Sequence, residues 1–127
     1  MGQKVNPIGL RIGVNKDWQS TWYANKQDFA ANLKEDHEVR EYFKKKHAAS
    51  GISQVEIKRT ENRLEINIYT GKPGMIIGTK GAGIEAIKKD LNKLVRPVKA
   101  LVLNVKEIKK PDLDAKLVAD SIAQQLE

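Results

Sequence analysis

The residues of this chain with the clearest chemical potential lie between Gly71 and Ile84. This run holds five of the nine glycines, with lysines at Lys72 and Lys80. An apolar segment, Met75 to Ile77, stops at Gly78, and amphipathic helical spacing resumes in Ile84, Ile87, Leu91 and Leu94. The pattern predicts a short buried helix, a tight turn over Gly78, Thr79, Lys80 and Gly81, and a longer helix starting at that turn. Glycine at both ends lets the turn take positive φ and lets another backbone come very close. The helix N-terminus behind it directs free N–H groups and a partial positive charge outward, which suits phosphate. Lys80 at the tip adds a full charge, and the sum describes a clamp for a nucleic-acid backbone. The competing reading is a bare helix–helix turn, since a single Gly-x-x-Gly pair is a weak motif.

Two other glycine devices are excluded by spacing. A Walker A loop needs Gly, four residues, then Gly-Lys-Ser/Thr, whereas Gly74 and Gly78 are too close and Thr79 follows Gly78. The dinucleotide fingerprint G-x-G-x-x-G is absent, because Gly78, Gly81 and Gly83 read G-x-x-G-x-G. No catalytic constellation stands out. His37 and His47 are the only histidines and there is no cysteine, so each histidine reads as a surface helix residue rather than a metal ligand. Ser20, Ser50, Ser53 and Ser121 sit near no evident base. Glu35, Asp36, Glu38 and Glu41 could form an acid/base cluster; they read instead as a solvated helix face neutralised by Lys34, Arg40 and Lys44. The expectation is a binding protein with no enzymatic activity, metal, cofactor or small-molecule substrate.

The 127 residues amount to one domain, large enough to bury a core. Absence of cysteine excludes a disulfide framework and fits a reducing cytoplasm. No apolar run approaches a membrane span, and the first seven residues lack a signal peptide's apolar core. Gly2 raises myristoylation, but Asn6 stands where Ser or Thr would be wanted. The net charge of +7 is unevenly spread: residues 1–27 carry net +3 and residues 72–99 net +5, while 28–71 are neutral and 100–127 carry net −1. A positive excess gathered on the glycine run and on the N-terminal stretch favours a polyanionic partner.

Several elements must position these groups. Residues 1–27 read as an extended basic arm, punctuated by Asn6-Pro7, Gly9 and Gly13, with Lys4, Arg11, Lys16 and Lys26 interleaved with Trp18, Trp22 and Tyr23. Basic groups beside aromatic faces hold phosphates and stack bases. Packing of both tryptophans on the domain is the alternative. Residues 28–49 read as a helix with Asp28 as N-cap, broken near Asp36-His37 where the apolar phase slips, and ended by Ser50-Gly51. Val55 and Ile57, then Leu64, Ile66 and Ile68, alternate with polar residues as two strands of a hairpin turning at Thr60-Glu61-Asn62. After the glycine run, the helix closes at Arg96-Pro97. A third strand covers 98–108 with Leu101, Leu103 and Val105 inward, pairing parallel with an earlier strand. Asp112 caps a last helix with the stripe Leu113, Leu117, Val118, Ile122 and Leu126. Its pattern runs into Glu127 without a stop signal, as expected of a chain whose remainder is missing.

Ile77-Gly78-x-x-Gly81-x-x-Ile84, in the order helix, strand, strand, helix, Gly-x-x-Gly, helix, strand, resembles the KH family of RNA-binding modules in its prokaryotic-type, or type II, arrangement. Four further segments tighten the likeness: 1–7, Trp22-Tyr23-Ala24, Lys72-Pro73-Gly74, and the run from Lys110 to Ala119. In that order they resemble the N-terminal half of the family of the bacterial small-subunit ribosomal protein numbered three in its series. The resemblance implies an α+β type II KH fold over 28–127: a three-stranded mixed sheet, helices packed on one face, and the N-terminal arm of residues 1–27. It also implies a structural, cytoplasmic role in the head of the small ribosomal subunit, beside the place where messenger RNA enters. Small-subunit ribosomal RNA would be the partner, with messenger RNA nearby and neighbouring head proteins sharing the site; a free-standing KH RNA-binding or RNA-maturation factor is the alternative. The RNA-binding residues expected on this likeness are Gly78, Thr79, Lys80, Gly81, Lys72, Lys88 and Lys89, with Lys4, Arg11, Lys16 and Trp22 from the arm. The resemblance places the family's messenger-opening residues in a second domain, outside the half matched here, so that activity is not carried over. Many members have acidic residues just after the loop. Gly83 departs from that pattern and is expected to loosen the helix start by up to ~1 kcal/mol relative to Ala.

Overall fold

The computed structural model describes residues 2–46, 51–60, 63–95 and 100–127. The elements in chain order are α1 (Pro7–Arg11), β1 (Ser20–Thr21), α2 (Lys26–Lys46), β2 (Ile52–Arg59), β3 (Arg63–Thr70), α3 (Pro73–Ile77), α4 (Ala82–Leu94), β4 (Ala100–Glu107) and α5 (Ala115–Leu126). The sheet has the order β1-β2-β3-β4. β2 and β3 are antiparallel, and β4 lies parallel to β3, with Ile66 opposite Leu103. The parallel crossover and the mixed sheet are as the sequence implies. The sheet nevertheless has four strands rather than three. The additional one, β1, pairs Ser20 with Ile57 and Thr21 with Lys58 in parallel, and lies within the stretch read as arm. Two residues are too short to show alternation, so nothing in the sequence announces it.

Strand residues of one parity make the core. Val55 and Ile57, Leu64, Ile66 and Ile68, and Leu103 are buried against Val39 and Phe43 of α2, Ile76 of α3, and Ile87, Leu91 and Val95 of and after α4. Leu101 and Val105 pack against this cluster while half-buried. The opposite parity carries polar links. Asn104 donates to Asn67 and Glu65, and the Tyr69 hydroxyl donates to Glu56. The hairpin closes with Thr60 N–H to Arg63 O at 2.9 Å. Its turn residues Glu61 and Asn62 lie outside the described residues, as do His47, Ser50, the Arg96-Pro97 closure and Val98.

The largest departure from the sequence reading is α2. It is one continuous helix from Lys26, without a break at Asp36-His37; Asp28 lies within its first turn rather than before it, and Asn25 O accepts from the Asp28 and Phe29 amides. Phe29 and Leu33, whose spacing would begin an apolar helical stripe, are exposed. The buried face runs through Asn32, Glu35, Asp36, Val39 and Phe43 at helical spacing, so its first half is polar. The phase of the buried face does not slip; polar residues occupy its first half. Glu35 and Asp36 are thus not part of a solvated face. Arg59 of β2 reaches Asp36 through Nε (3.1 Å) and Nη2 (2.7 Å) and Glu35 through Nη1 (3.0 Å), while Trp22 Nε1 donates to the other Asp36 oxygen at 2.7 Å. The same region fastens β1: Arg40 donates to Ser20 Oγ and Ile57 N–H to Gln19 O.

Two ends also differ. Within the arm, Pro7–Arg11 is a helical turn, because Asn6 accepts from the Ile8 N–H and Pro7 occupies N1. At the C-terminal end, Asp114 rather than Asp112 is the N-cap, accepting from Lys116 and Leu117 amides after a 3-10 turn at Pro111–Leu113. Of the expected α5 stripe only Leu117 is half-buried; Leu113, Val118, Ile122 and Leu126 are exposed. The helix is held instead at its start, where Ser53 Oγ donates to Asp114 and Leu117 lies against Gly51.

Removing one partner of a buried charge group leaves the others uncompensated, so Asp36→Ala is expected to lower unfolding free energy by about 3–5 kcal/mol. Glu41→Ala on the same helix should cost less than about 1 kcal/mol. Urea unfolding of the two variants checks the contrast. A second expectation concerns alkaline pH. The Tyr42 hydroxyl donates to Asp90 at 2.7 Å, joining α2 to α4. Burial first, then this hydrogen bond and the Asp90 charge, push its pKa up to about 12 from the ordinary 10.0. The folded state therefore holds this proton more tightly than the unfolded chain. The resulting stabilisation is complete below pH 10.0 and is lost as pH rises towards about 12. Thermal melts across that window should fall more steeply for the parent chain than for Tyr42→Phe.

Candidate nucleic-acid interface

The loop is built by the two helical pieces that flank it. Pro73 starts α3 at N1, where its missing N–H has no cost. The end of β3 is tied down just before it: Thr70, fully buried, donates to Gly51 O and accepts from the Lys72 N–H. Ile76 is buried as expected, but Met75 is exposed, so the helix buries one side chain of its apolar run. The Gly78 N–H closes α3 on Gly74 O at 3.0 Å. Gly78 then takes φ 71°, ψ −171°, a region reserved for glycine, and Gly81 takes φ 76°, ψ 7°. Between them, Thr79–Gly81 forms a single 3-10 turn closed by the Ala82 N–H on Thr79 O. Lys80 at the tip sits at φ 56°, ψ 30°, the one non-glycine residue with positive φ among those described.

α4 follows Gly81 at its N-cap, which supplies no side-chain cap to the helix's first amides. Gly78, Thr79 and Lys80 are exposed, and no heavy atom lies within 4 Å of where a Cβ on Gly81 would be. The corner is open to solvent. An anion approaching it meets the positive end of a thirteen-residue helix and the Lys80 ammonium.

Gly83 has a role opposite to the one its helix propensity suggests. A Cβ there would overlap the Ile76 carbonyl oxygen and lie 2.9 Å from the Ile77 oxygen. The ~1 kcal/mol advantage of Ala over Gly holds for a helix with free surroundings. Here the α3 backbone fills the space, so glycine is required by close approach. A glycine five residues after Gly78, on the face turned to α3, is the only sequence signal.

The remaining expected residues fall into two groups. Lys72 is exposed at the start of α3 and Lys80 at the tip, while on α4 Lys88 is half-buried and Lys89 exposed. Helical spacing places Lys88, four residues after Ile84, at the edge of the buried stripe, and turns Lys89 with Lys93 to the outer face. The α4 lysines thus do not share one face. Lys4, Arg11 and Lys16 are exposed on the N-terminal stretch, apart in sequence from the loop. Trp22 is half-buried, its indole N–H taken by Asp36 and its ring 5.1 Å from that of Phe29. Those contacts tie Trp22 to the fold. Trp18 remains exposed.

A sheet covered by helices on one face, with an open Gly-x-x-Gly corner between two of them, is the architecture of a KH module. The family model described as KH domain matches residues 38–113. Over all 127 residues the chain is 54% identical to the small ribosomal subunit protein uS3 of Clostridium botulinum (strain 657 / Type Ba4). It is 53% identical to that of Clostridium novyi (strain NT) and 52% identical to that of Clostridium tetani (strain Massachusetts / E88). The whole chain is covered in each case, but it spans only 56–57% of the length of these relatives. The chain belongs to the KH-domain family, on its bacterial uS3 branch.

The strained Lys80 torsion gives an expectation of its own. A left-handed non-glycine residue costs about 1–2 kcal/mol, offset in Lys80→Gly by glycine's greater entropy in the unfolded chain. Lys80→Gly is therefore expected to leave stability unchanged or raise it by up to about 1 kcal/mol, while removing the tip charge. Urea unfolding checks the sign; a clear loss of stability would show that Lys80 makes contacts that hold the fold.

Proposed function

We propose that this chain is a structural, non-catalytic component of the small ribosomal subunit in the cytoplasmic ribosome, binding ribosomal RNA by gripping its phosphate backbone at Gly78–Gly81. The observation that carries the proposal is the exposed, uncapped loop, with glycine torsions at both ends and Lys80 at its tip. The uneven positive charge supports it, since residues 72–99 hold net +5. So does likeness to relatives named as small ribosomal subunit proteins. Lys72, Lys88 and Lys89 would add longer-range attraction around the corner, and Lys4, Arg11 and Lys16 a second basic contact from the N-terminal stretch. Neighbouring proteins of the subunit head and the region where messenger RNA enters complete the proposed setting.

Two measurements test this. Thr79→Asp combined with Lys80→Asp sets like charge against phosphate without touching the core. It should weaken binding to single-stranded RNA about tenfold or more at low salt and lower the salt slope by roughly 0.7 for each phosphate that is no longer neutralised. Unchanged affinity would reduce the loop to a turn. The parent chain should also co-sediment with small ribosomal subunits after a high-salt wash; release into the supernatant would favour a free-standing RNA-binding module.

A further inference from the structure

We infer that Gly83, which lies outside the Gly-x-x-Gly tetrapeptide, is a positioning residue for the phosphate clamp. It closes a glycine neck that fixes where the loop stands and where the amides at the start of α4 point. The inference rests on the reading of the loop as the RNA contact. Gly83 occupies the second position of α4, at the crossing with α3. A methyl group there would overlap the Ile76 carbonyl oxygen and lie 2.9 Å from the Ile77 oxygen and 3.1 Å from the Ile77 carbonyl carbon. All three atoms are main chain, so no side-chain rotation can make room, and α3 would have to shift against α4.

The neck is closed from its other side by the first loop glycine. A Cβ on Gly78 would lie 3.0 Å from Gly83 N and 3.3 Å from its Cα. Gly78 therefore rests on Gly83, and Gly83 rests on the last turn of α3. The chain leaves α3 and re-enters α4 through this contact. Because the Gly78 N–H is bonded to Gly74 O, a shift of α3 carries Gly78 with it and changes the torsions of the tip. A recognition site loses function when its groups move by more than about 0.5 Å, and relief of this overlap needs a movement of that order. Gly74 supplies the contrast. It belongs to the same short helix, yet nothing lies within 4 Å of its Cβ position.

The experiment uses the 127-residue chain and a short oligouridine at fixed low salt. Gly83→Ala, Gly74→Ala, Phe43→Leu and the double variant Thr79→Asp, Lys80→Asp are compared, each well below its own melting transition. Gly83→Ala should weaken binding about tenfold and shift the amide resonances of Thr79, Lys80 and Gly81, as expected when the positioning shell is loosened. Gly74→Ala should bind within about twofold of the parent, as should Phe43→Leu, a core truncation on α2 that controls for stability alone. Parent-like binding by Gly83→Ala, with loss in the double variant, overturns the inference but leaves the loop as the RNA contact. Parent-like binding by the double variant overturns that reading and this inference with it. If Gly83→Ala shows no cooperative melting, Gly83 is a folding residue and the positioning role is overturned. Equal weakening by Phe43→Leu overturns it as well.

Discussion

The Asp36 carboxylate lies on the inward face of α2, 1% exposed, and is tolerated there because donors from two directions satisfy it. Arg59 contributes Nε and Nη2 from the end of β2, and Trp22 contributes its indole N–H from the chain entering α2. A carboxylate taken from water without such partners would cost several kcal/mol, of order the whole stability of a small domain. The group therefore constrains three pieces at once. α2 must present this face to β2, β2 must bring Arg59 to that height, and the segment after β1 must fold back to deliver Trp22. Hydrophobic burial would leave α2 freer to rotate or slide over the sheet, because apolar contact is not directional. The charged group fixes one register, and Tyr42 with Asp90 links the same helix to α4.

That frame matters for the loop because the glycine corner has little support of its own. α3 is five residues long and buries only Ile76. Its position is inherited from both sides. Thr70 and Gly71 tie the end of β3 to Gly51 just ahead of Lys72, and Ile108 N–H bonds Thr70 O from the strand on the other side. α4 is longer and rests on the sheet through Ile87 and Leu91. The loop is thus a short unsupported span between two fixed points. Its geometry follows from how closely α3 and α4 cross, which Gly83 allows and a Cβ would not.

How much of this is legible in the sequence depends on whether a position's role is local. Alternation in Val55 and Ile57 and in Leu64 to Ile68 names the buried sheet face, since strand periodicity is a local property. The Ile84, Ile87, Leu91 spacing marks the inner face of α4, although Leu94, expected on the same stripe, is exposed, and the glycines at 78 and 81 mark the turn. α2 escapes such a reading because apolar periodicity assumes that buried means apolar. Glu35 and Asp36 can be buried because Arg59, more than twenty residues away, meets both, and Trp22 meets Asp36. β1 escapes it because two residues carry no period. Gly83 escapes it because the cost of a Cβ there belongs to another helix's carbonyls, and intrinsic propensity does not contain that cost. In α2 and at Gly83 alike, the deciding partner belongs to a different element.

The same distinction bears on what the corner can recognise. Its donors are backbone amides, the Thr79 hydroxyl and the Lys80 ammonium group, and its glycine ends carry no side chains. Such a surface complements phosphate and ribose, which every nucleotide shares, and offers little to the edges of bases. Phosphate contacts set position and orientation, whereas discrimination between sequences needs side chains that reach base edges. Thr79 and Lys80 are the only side chains within the tetrapeptide, and Lys80 stands on a left-handed backbone position, exposed to solvent. As the proposed RNA contact, a clamp of this construction would hold an RNA strand in register against the protein whatever its sequence. Such a property suits a part whose partner is defined by assembly, where the surrounding structure selects which strand arrives.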